Sequence, residues 1–133
     1  MTWTCHFITE ADATALGADG LLRPGHMWYE PGLLGYSVGN PRRPATNYFR
    51  DNAHRAPIVV YLPGRIEFHV DGPALREGIP VGVGWEVSGN PPRLTVAPSI
   101  DIAGIYHGHL IDGVLSDDLA GRKYANDGRL APP

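Results

Sequence analysis

Ile105-Tyr106-His107-Gly108-His109-Leu110-Ile111-Asp112-Gly113-Val114-Leu115 is the stretch whose reading decides the fold class. Asp112-Gly113 stands between Ile111 and Val114, and a type I′ turn needs positive φ at both central residues, which this pair tolerates. A two-residue loop sets Ile111 against Val114, His109 against Ser116 and His107 against Asp118. Side chains alternate along a strand, so all six share one face. The stretch predicts an antiparallel hairpin with a polar seam of His107, His109, Ser116 and Asp118.

Working outward, Ile58-Val59-Val60-Tyr61 and Ile66-Glu67-Phe68-His69-Val70 flank Pro63-Gly64, the type II turn pattern. Pairing outward from that turn predicts Tyr61 against Ile66 and Val59 against Phe68 on a core face. Val60 then meets Glu67, and Ile58 meets His69, with room for a wider loop or bulge because type II turns splay the strands. Val81-Gly82-Val83-Gly84-Trp85-Glu86-Val87 has a strict period of two, with Val81, Val83, Trp85 and Val87 on one face. The other face, at Gly82 and Gly84, is almost without side chains: another chain segment packs there, or a small ligand rests on bare backbone. Leu94-Thr95-Val96-Ala97 reads as a further strand, as do Trp3 to Ile8, Met27-Trp28-Tyr29 and Leu33 to Val38. Thr9 with Asp12 resembles a capping box, predicting a helix over Glu10–Leu16 that ends at Gly17. Pro73 to Gly78 reads as a single helical turn.

Composition agrees with strands and turns. The 133 residues are 43% apolar and 19% charged, and include 17 glycines and 13 prolines. That is roughly double the usual share of these two helix-breaking residues, which excludes a helix bundle or coiled coil. No apolar run approaches the ~18 residues of a membrane span. No basic and apolar leader opens the chain, so no signal peptide is expected. A lone Cys5 excludes an internal disulfide and a four-cysteine zinc site. A formal charge of −3 is too mild for a phosphate-binding footprint or a DNA mimic. The fold expectation is mainly β: a compact antiparallel sandwich or barrel with at most one or two short helices. Residues 1–122 are expected as a single domain and 123–133 as a loose polar tail.

Two runs carry a family resemblance. Gly84-Trp85-Glu86-Val87-Ser88-Gly89-Asn90-Pro91-Pro92-Arg93-Leu94-Thr95-Val96-Ala97-Pro98-Ser99-Ile100 is the first. Gly104-Ile105-Tyr106-His107-Gly108-His109-Leu110-Ile111-Asp112-Gly113-Val114, followed by Asp118 and Gly121, is the second. Together they resemble a family of small proteins of unknown function found largely in tailed bacteriophages and prophages. The resemblance covers about a third of the chain, Gly84 to Gly121. It implies a phage accessory protein of the host cytoplasm or the virion. Many relatives carry a Cys before the matching His and a Cys pair near the start, which suggests bound zinc. Here Tyr106 takes the first position and the start offers only Cys5, so that ligand set does not carry over.

Residues able to carry chemistry are few. His107 and His109 project to one face and could hold Zn²⁺ with a third ligand from His26, His54, His69 or Asp118. The structural alternative has His107 hydrogen-bonded to Asp118 across the hairpin, with His109 at a partly exposed edge. Ser116, His109 and Asp118 have the residue types of a nucleophilic triad, and Ser99 and the Cys5-His6 pair are further candidates. Arg42, Arg43, Tyr48 and Phe49, with Asn47 and Arg50, form a basic and aromatic cluster that could stack a base, bind a phosphate or contact a protein partner, or else lie as a solvated loop face. Met27, Trp28, Tyr29, Tyr36, Tyr48 and Phe49 would make a contact patch if they are exposed.

These readings favour a non-enzymatic interaction protein, either a virion component or a modulator of a host factor, with no cofactor. Its expected partner is a host or phage protein, with no nucleic acid and no membrane. One alternative is a metal-binding enzyme or zinc-stabilised domain centred on His107 and His109. Another is a small-ligand binder on the glycine-lined strand face.

Overall fold

The computed structural model describes residues 1–30, 58–70, 74–76, 79–81 and 86–132. In chain order the elements are β1 (Trp3–Thr4), β2 (His6–Phe7), α1 (Glu10–Ala18), β3 (His26–Tyr29), β4 (Ile58–Leu62), β5 (Ile66–His69) and β6 (Ala74–Arg76). They continue with β7 (Ile79–Val81), β8 (Glu86–Ser88), β9 (Thr95–Ile102), β10 (Tyr106–Ile111) and β11 (Val114–Leu115). One sheet has the order β1-β11-β10-β9-β8, a second β2-β3-β4-β5, and β6 pairs with β7. The chain is mainly β, and its two larger sheets pack face to face as a sandwich, without a closed barrel among the described residues.

The packing follows from alternation. Met27, Ile58, Val60, Leu62, Phe68 and Val70 of the four-stranded side meet Leu94, Val96, Ile100, Tyr106, Leu110 and Leu115 of the five-stranded side in one buried core. The opposite face of β3 and β4 is also covered: Trp28, Val59 and Tyr61 pack with Ala13 and Leu22, and with the half-buried Ile8 and Leu16. α1 lies there as a third layer. β4 is therefore buried on both faces, which explains why it reads as a continuous apolar run rather than as an alternation. Thr9 caps α1 as predicted, its Oγ1 accepting the Asp12 N–H at 3.0 Å, but the helix runs on to Ala18.

Several expectations are corrected. Trp3 to Ile8 is not one strand. β1 pairs with β11 in one sheet and β2 with β3 in the other, so the chain crosses between sheets at Cys5. The Pro63-Gly64 turn forms, with the Arg65 N–H donating to the Leu62 carbonyl at 3.1 Å. Arg65 then adds a third loop residue in the left-handed region, at φ 60°. That extra residue moves the register, so Leu62 faces Ile66, Tyr61 faces Glu67, Val60 faces Phe68 and Val59 faces His69. The predicted helical turn at Pro73–Gly78 is instead occupied in part by β6, because Ala74–Arg76 finds a strand partner in Ile79–Val81. The period-two run at Val81–Val87 is divided between β7 and β8; Gly82, Val83, Gly84 and Trp85 lie outside the described residues.

The 106–115 hairpin is as read. Ile111 pairs with Val114 and Leu110 with Leu115. Asp112 and Gly113 sit at φ 46° and 76°, the double positive φ of a type I′ turn. β9 is longer than the predicted Leu94–Ala97 and irregular: Gly108 pairs with Ile100, but Leu110 pairs with Val96. Two more residues on β9 than on β10 fill that interval, around Pro98, which has no N–H to give to a ladder.

The expected loose tail is tied down. Tyr124 bridges to Leu130. The Gly128 carbonyl accepts the Gly64 N–H at 2.8 Å, and the Ala131 N–H donates to Lys123 at 2.8 Å. The Tyr124 hydroxyl donates to the Ile105 carbonyl, and its ring makes edge contacts with Trp3 and Tyr106 at 5.7 and 6.3 Å.

Candidate functional site

The predicted polar seam lies along β10. Tyr106, Gly108 and Leu110 point into the core, while His107 and His109 alternate outward and are half-buried. β11 ends at Leu115, yet the ladder does not stop there. The Ser116 N–H donates to the His109 carbonyl at 2.9 Å, and the Leu119 N–H to the His107 carbonyl at 2.6 Å. In the return direction two side chains stand in for main-chain carbonyls. Ser116 Oγ accepts the His109 N–H at 2.8 Å, and Asp118 Oδ1 accepts the His107 N–H at 2.7 Å. Asx and Ser side chains readily substitute for backbone groups in this way.

Asp118 is the one buried charged residue of the described chain. Its carboxylate also accepts the Arg122 N–H at 2.7 Å and the Arg122 Nη1–H at 2.9 Å. Burial pushes this carboxyl up, but the two backbone N–H groups and the Arg122 guanidinium outweigh it, so its pKa lies below the ordinary carboxylate range. Ser116 Oγ in turn donates to the Asp117 carbonyl at 2.9 Å. The Tyr106 hydroxyl donates to the Ser116 carbonyl at 2.8 Å, and burial raises its pKa to about 12.

The expected His107–Asp118 contact therefore forms through the backbone of His107, not its ring. The imidazole turns to β9, where its Nε2 lies 3.1 Å from Ser99 Oγ. Because Ser99 pairs with His107, and Ser116 is held by backbone groups, no Ser116–His109–Asp118 triad is assembled. Cys5 and His6 do not combine either: Cys5 is buried in the core while His6 is exposed. Burial pushes the Cys5 thiol up to about 12, so at neutral pH it is a protonated core residue.

The metal candidates are scattered. His26 belongs to the other sheet, where its Nδ1 accepts the Arg23 N–H at 2.9 Å. His69 lies 3.9 Å from Glu30, Asp118 is taken by Arg122, and His54 lies outside the described residues. Among the described residues no three His, Cys, Asp or Glu side chains are grouped to hold a metal ion.

Arg42, Arg43, Tyr48 and Phe49, with Tyr36, Asn47 and Arg50, lie outside the described residues. Met27 and Trp28, candidates for a contact patch, are core residues. The exposed apolar groups are different ones. Ile111 and Val114, cross-strand partners, are 56% and 37% exposed. Beside them Arg93 forms a two-pronged ion pair with Asp112, at 3.0 and 2.8 Å. The Arg122 and Tyr124 roles were missed in sequence. A spacing of four brings side chains together on a helix, but Asp118 and Arg122 meet across a turn, so no local pattern marks either Arg122 or Tyr124.

Among the described residues the architecture is a mainly-β sandwich of two packed sheets with one covering helix. Comparison with protein-family models, with curated proteins and with solved structures finds no match.

Proposed function

We propose that this chain is a non-enzymatic interaction protein that works through protein–protein contacts. The resemblance in its sequence further suggests a phage accessory protein, a virion component or modulator of a host factor. The observation that supports this most directly is the occupancy of the seam. Ser116 and Asp118, the side chains nominated for chemistry, are hydrogen-bonded to the backbone of β10 and to Arg122, and act as parts of the scaffold. What that scaffold presents outward is an exposed apolar pair, Ile111 and Val114, rimmed by Arg93, Asp112 and Thr95. An apolar centre with a charged rim is the composition of contact surfaces.

The test is Ile111→Glu combined with Val114→Glu. Neither side chain is in the core, so the melting temperature is expected to stay within a few degrees of wild type. Capture of phage or host proteins by immobilised chain is expected to fall sharply. An unchanged set of captured proteins would remove this surface from the proposal.

The Ser99–His107 hydrogen bond favours one second reading, a serine nucleophile with a histidine base. Turnover of aryl esters that disappears in both Ser99→Ala and His107→Ala would replace the interaction reading with that one.

A further inference from the structure

We propose that the end of the sandwich where Arg23, Arg65 and Arg129 converge is a binding site for a phosphate-class dianion. The site is separate from the β10 seam and does not depend on the interaction reading.

Three distant segments bring these cations together. Arg65 is the left-handed third residue of the β4–β5 loop, and Arg23 lies in the corner between α1 and β3. Arg129 comes from the C-terminal segment that docks on that same loop through the Gly64 N–H to Gly128 carbonyl bond. Arg65 Nη1 lies 3.4 Å, and Arg129 Nε 2.8 Å, from the same oxygen of Asp127. Arg23 Nη1 donates to the carbonyls of Gly20 at 3.0 Å and Leu22 at 2.9 Å. Arg65 reaches that corner too: a Cβ built on Gly20 would lie 3.9 Å from Arg65 Nη2. Gly20 thus has the Arg23 guanidinium on its carbonyl and the Arg65 guanidinium on the side where a Cβ would stand.

Charge then decides what the cluster lacks. Among the described residues Arg65 and Arg129 share the Asp127 carboxylate and Arg23 adds its field to the same group, which leaves an excess of two positive charges among these four side chains on a chain whose formal net charge is −3. Asp127 remains ionised at neutral pH. The Arg129 N–H holds its carboxyl below the ordinary range; burial opposes this, and the charges of Arg129, Arg65 and Arg23 add to the lowering. Among the described residues Asp127 is the acidic side chain within ion-pair distance of Arg65 and Arg129. Nη2 of Arg23, Nη2 of Arg65 and both Nη atoms of Arg129 have no hydrogen-bond acceptor among those residues. Planar forks with free N–H groups match phosphate oxygens, and a dianion neutralises the excess of two. The guanidiniums of Arg23 and Arg65 are held before any ligand arrives, which lowers the entropy cost of binding.

The experiment is an ¹H–¹⁵N titration at low ionic strength with inorganic phosphate, and in a second arm with adenosine 5′-monophosphate. Saturable shifts are expected at Arg23, Arg65 and Arg129. Arg65→Gln and Arg129→Gln should each weaken the apparent Kd about tenfold, the scale of one charge-assisted hydrogen bond. Asp127→Asn should tighten it, by removing the competing carboxylate while keeping an oxygen for the Arg129 N–H. Equal affinity in the two arms identifies the phosphoryl group alone as the ligand. Tighter nucleotide binding, equally sensitive to the arginines, identifies the site as the phosphate end of a nucleotide. Two results would overturn the proposal. One is non-saturating shifts that chloride reproduces at matched ionic strength. The other is a Kd unchanged in Arg129→Gln, whose side chain is 71% exposed and so replaceable without loss of the fold.

Discussion

Asp118 shows how much one side chain can be asked to do. A buried carboxylate without partners is costly, and this one meets that cost with two main-chain N–H groups and a guanidinium. Its pKa is lower folded than unfolded, so it stabilises the fold fully above the ordinary carboxylate value. That contribution fades as pH falls below about 4 and the folded carboxylate is protonated. Asp118→Asn keeps an oxygen for the His107 N–H but sets an amide N–H₂ towards Arg122. The expected cost is about 3 kcal/mol at pH 7, the scale of a broken buried pair. Urea midpoints at pH 7 and in acid check it: the variant should lose less on acidification than wild type. Equal losses in both would place the acid sensitivity elsewhere. In sequence the hairpin register already put Asp118 opposite His107. Which atom of His107 it would meet was not legible, because a main-chain N–H carries no side-chain signature.

At the scale of elements, β10 and its glycines show two separate reasons for a missing Cβ. Gly113 combines them, with φ 76° and an ideal Cβ 2.5 Å from the Pro92 carbonyl oxygen. Gly108 has ordinary backbone angles, but its Cβ would lie 2.2 Å from the Tyr106 hydroxyl and 2.8 Å from Ser116 Oγ. Gly121 has φ 82° and nothing within 4 Å. Alanine should therefore cost most at Gly113, about 2 kcal/mol at Gly108 through overpacking, and about 1 kcal/mol at Gly121 through backbone strain alone. Denaturant midpoints of the three variants give the order. A Gly121→Ala variant less stable than Gly108→Ala would refute the packing account of β10. The turn glycine was legible, since Asp-Gly between apolar residues is a local pattern. Gly108 was not, because its constraint comes from a phenol two residues away and a serine across the hairpin. The same contrast explains the β4–β5 register. Pro63-Gly64 marked the turn, but Arg65 carries no local signal for the left-handed region, so its addition to the loop was read only from the structure.

At the scale of the molecule, residues 124–132 close one end of the sandwich. Tyr124 stands between Trp3 of β1 and Tyr106 of β10, with its hydroxyl on the turn at Ile105. Gly128, buried, lies against Pro24 in the α1–β3 corner and accepts the Gly64 N–H of the β4–β5 loop. One short segment thus touches both sheets and the α1–β3 corner. Its composition, polar with Gly and Pro, reads as a tail, because main-chain hydrogen bonds and a single aromatic wedge leave no hydrophobic periodicity. A chain ending at Lys123 retains Arg122 and hence the Asp118 anchor, so the loss isolates this closure. Removing the Tyr124 contacts and leaving the Gly64 N–H without its acceptor should cost roughly 3–4 kcal/mol together. For a domain of this size that is a fall in melting temperature of about 10 °C or more. Indole fluorescence should report it as well, because Trp3 loses the ring that packs on its edge. A shortened chain that melts with the full one and keeps its Trp3 signal would mean that these contacts contribute nothing to the fold. With such a drop, residues 124–132 are part of the sandwich itself, through the contact of Tyr124 with Trp3 of β1.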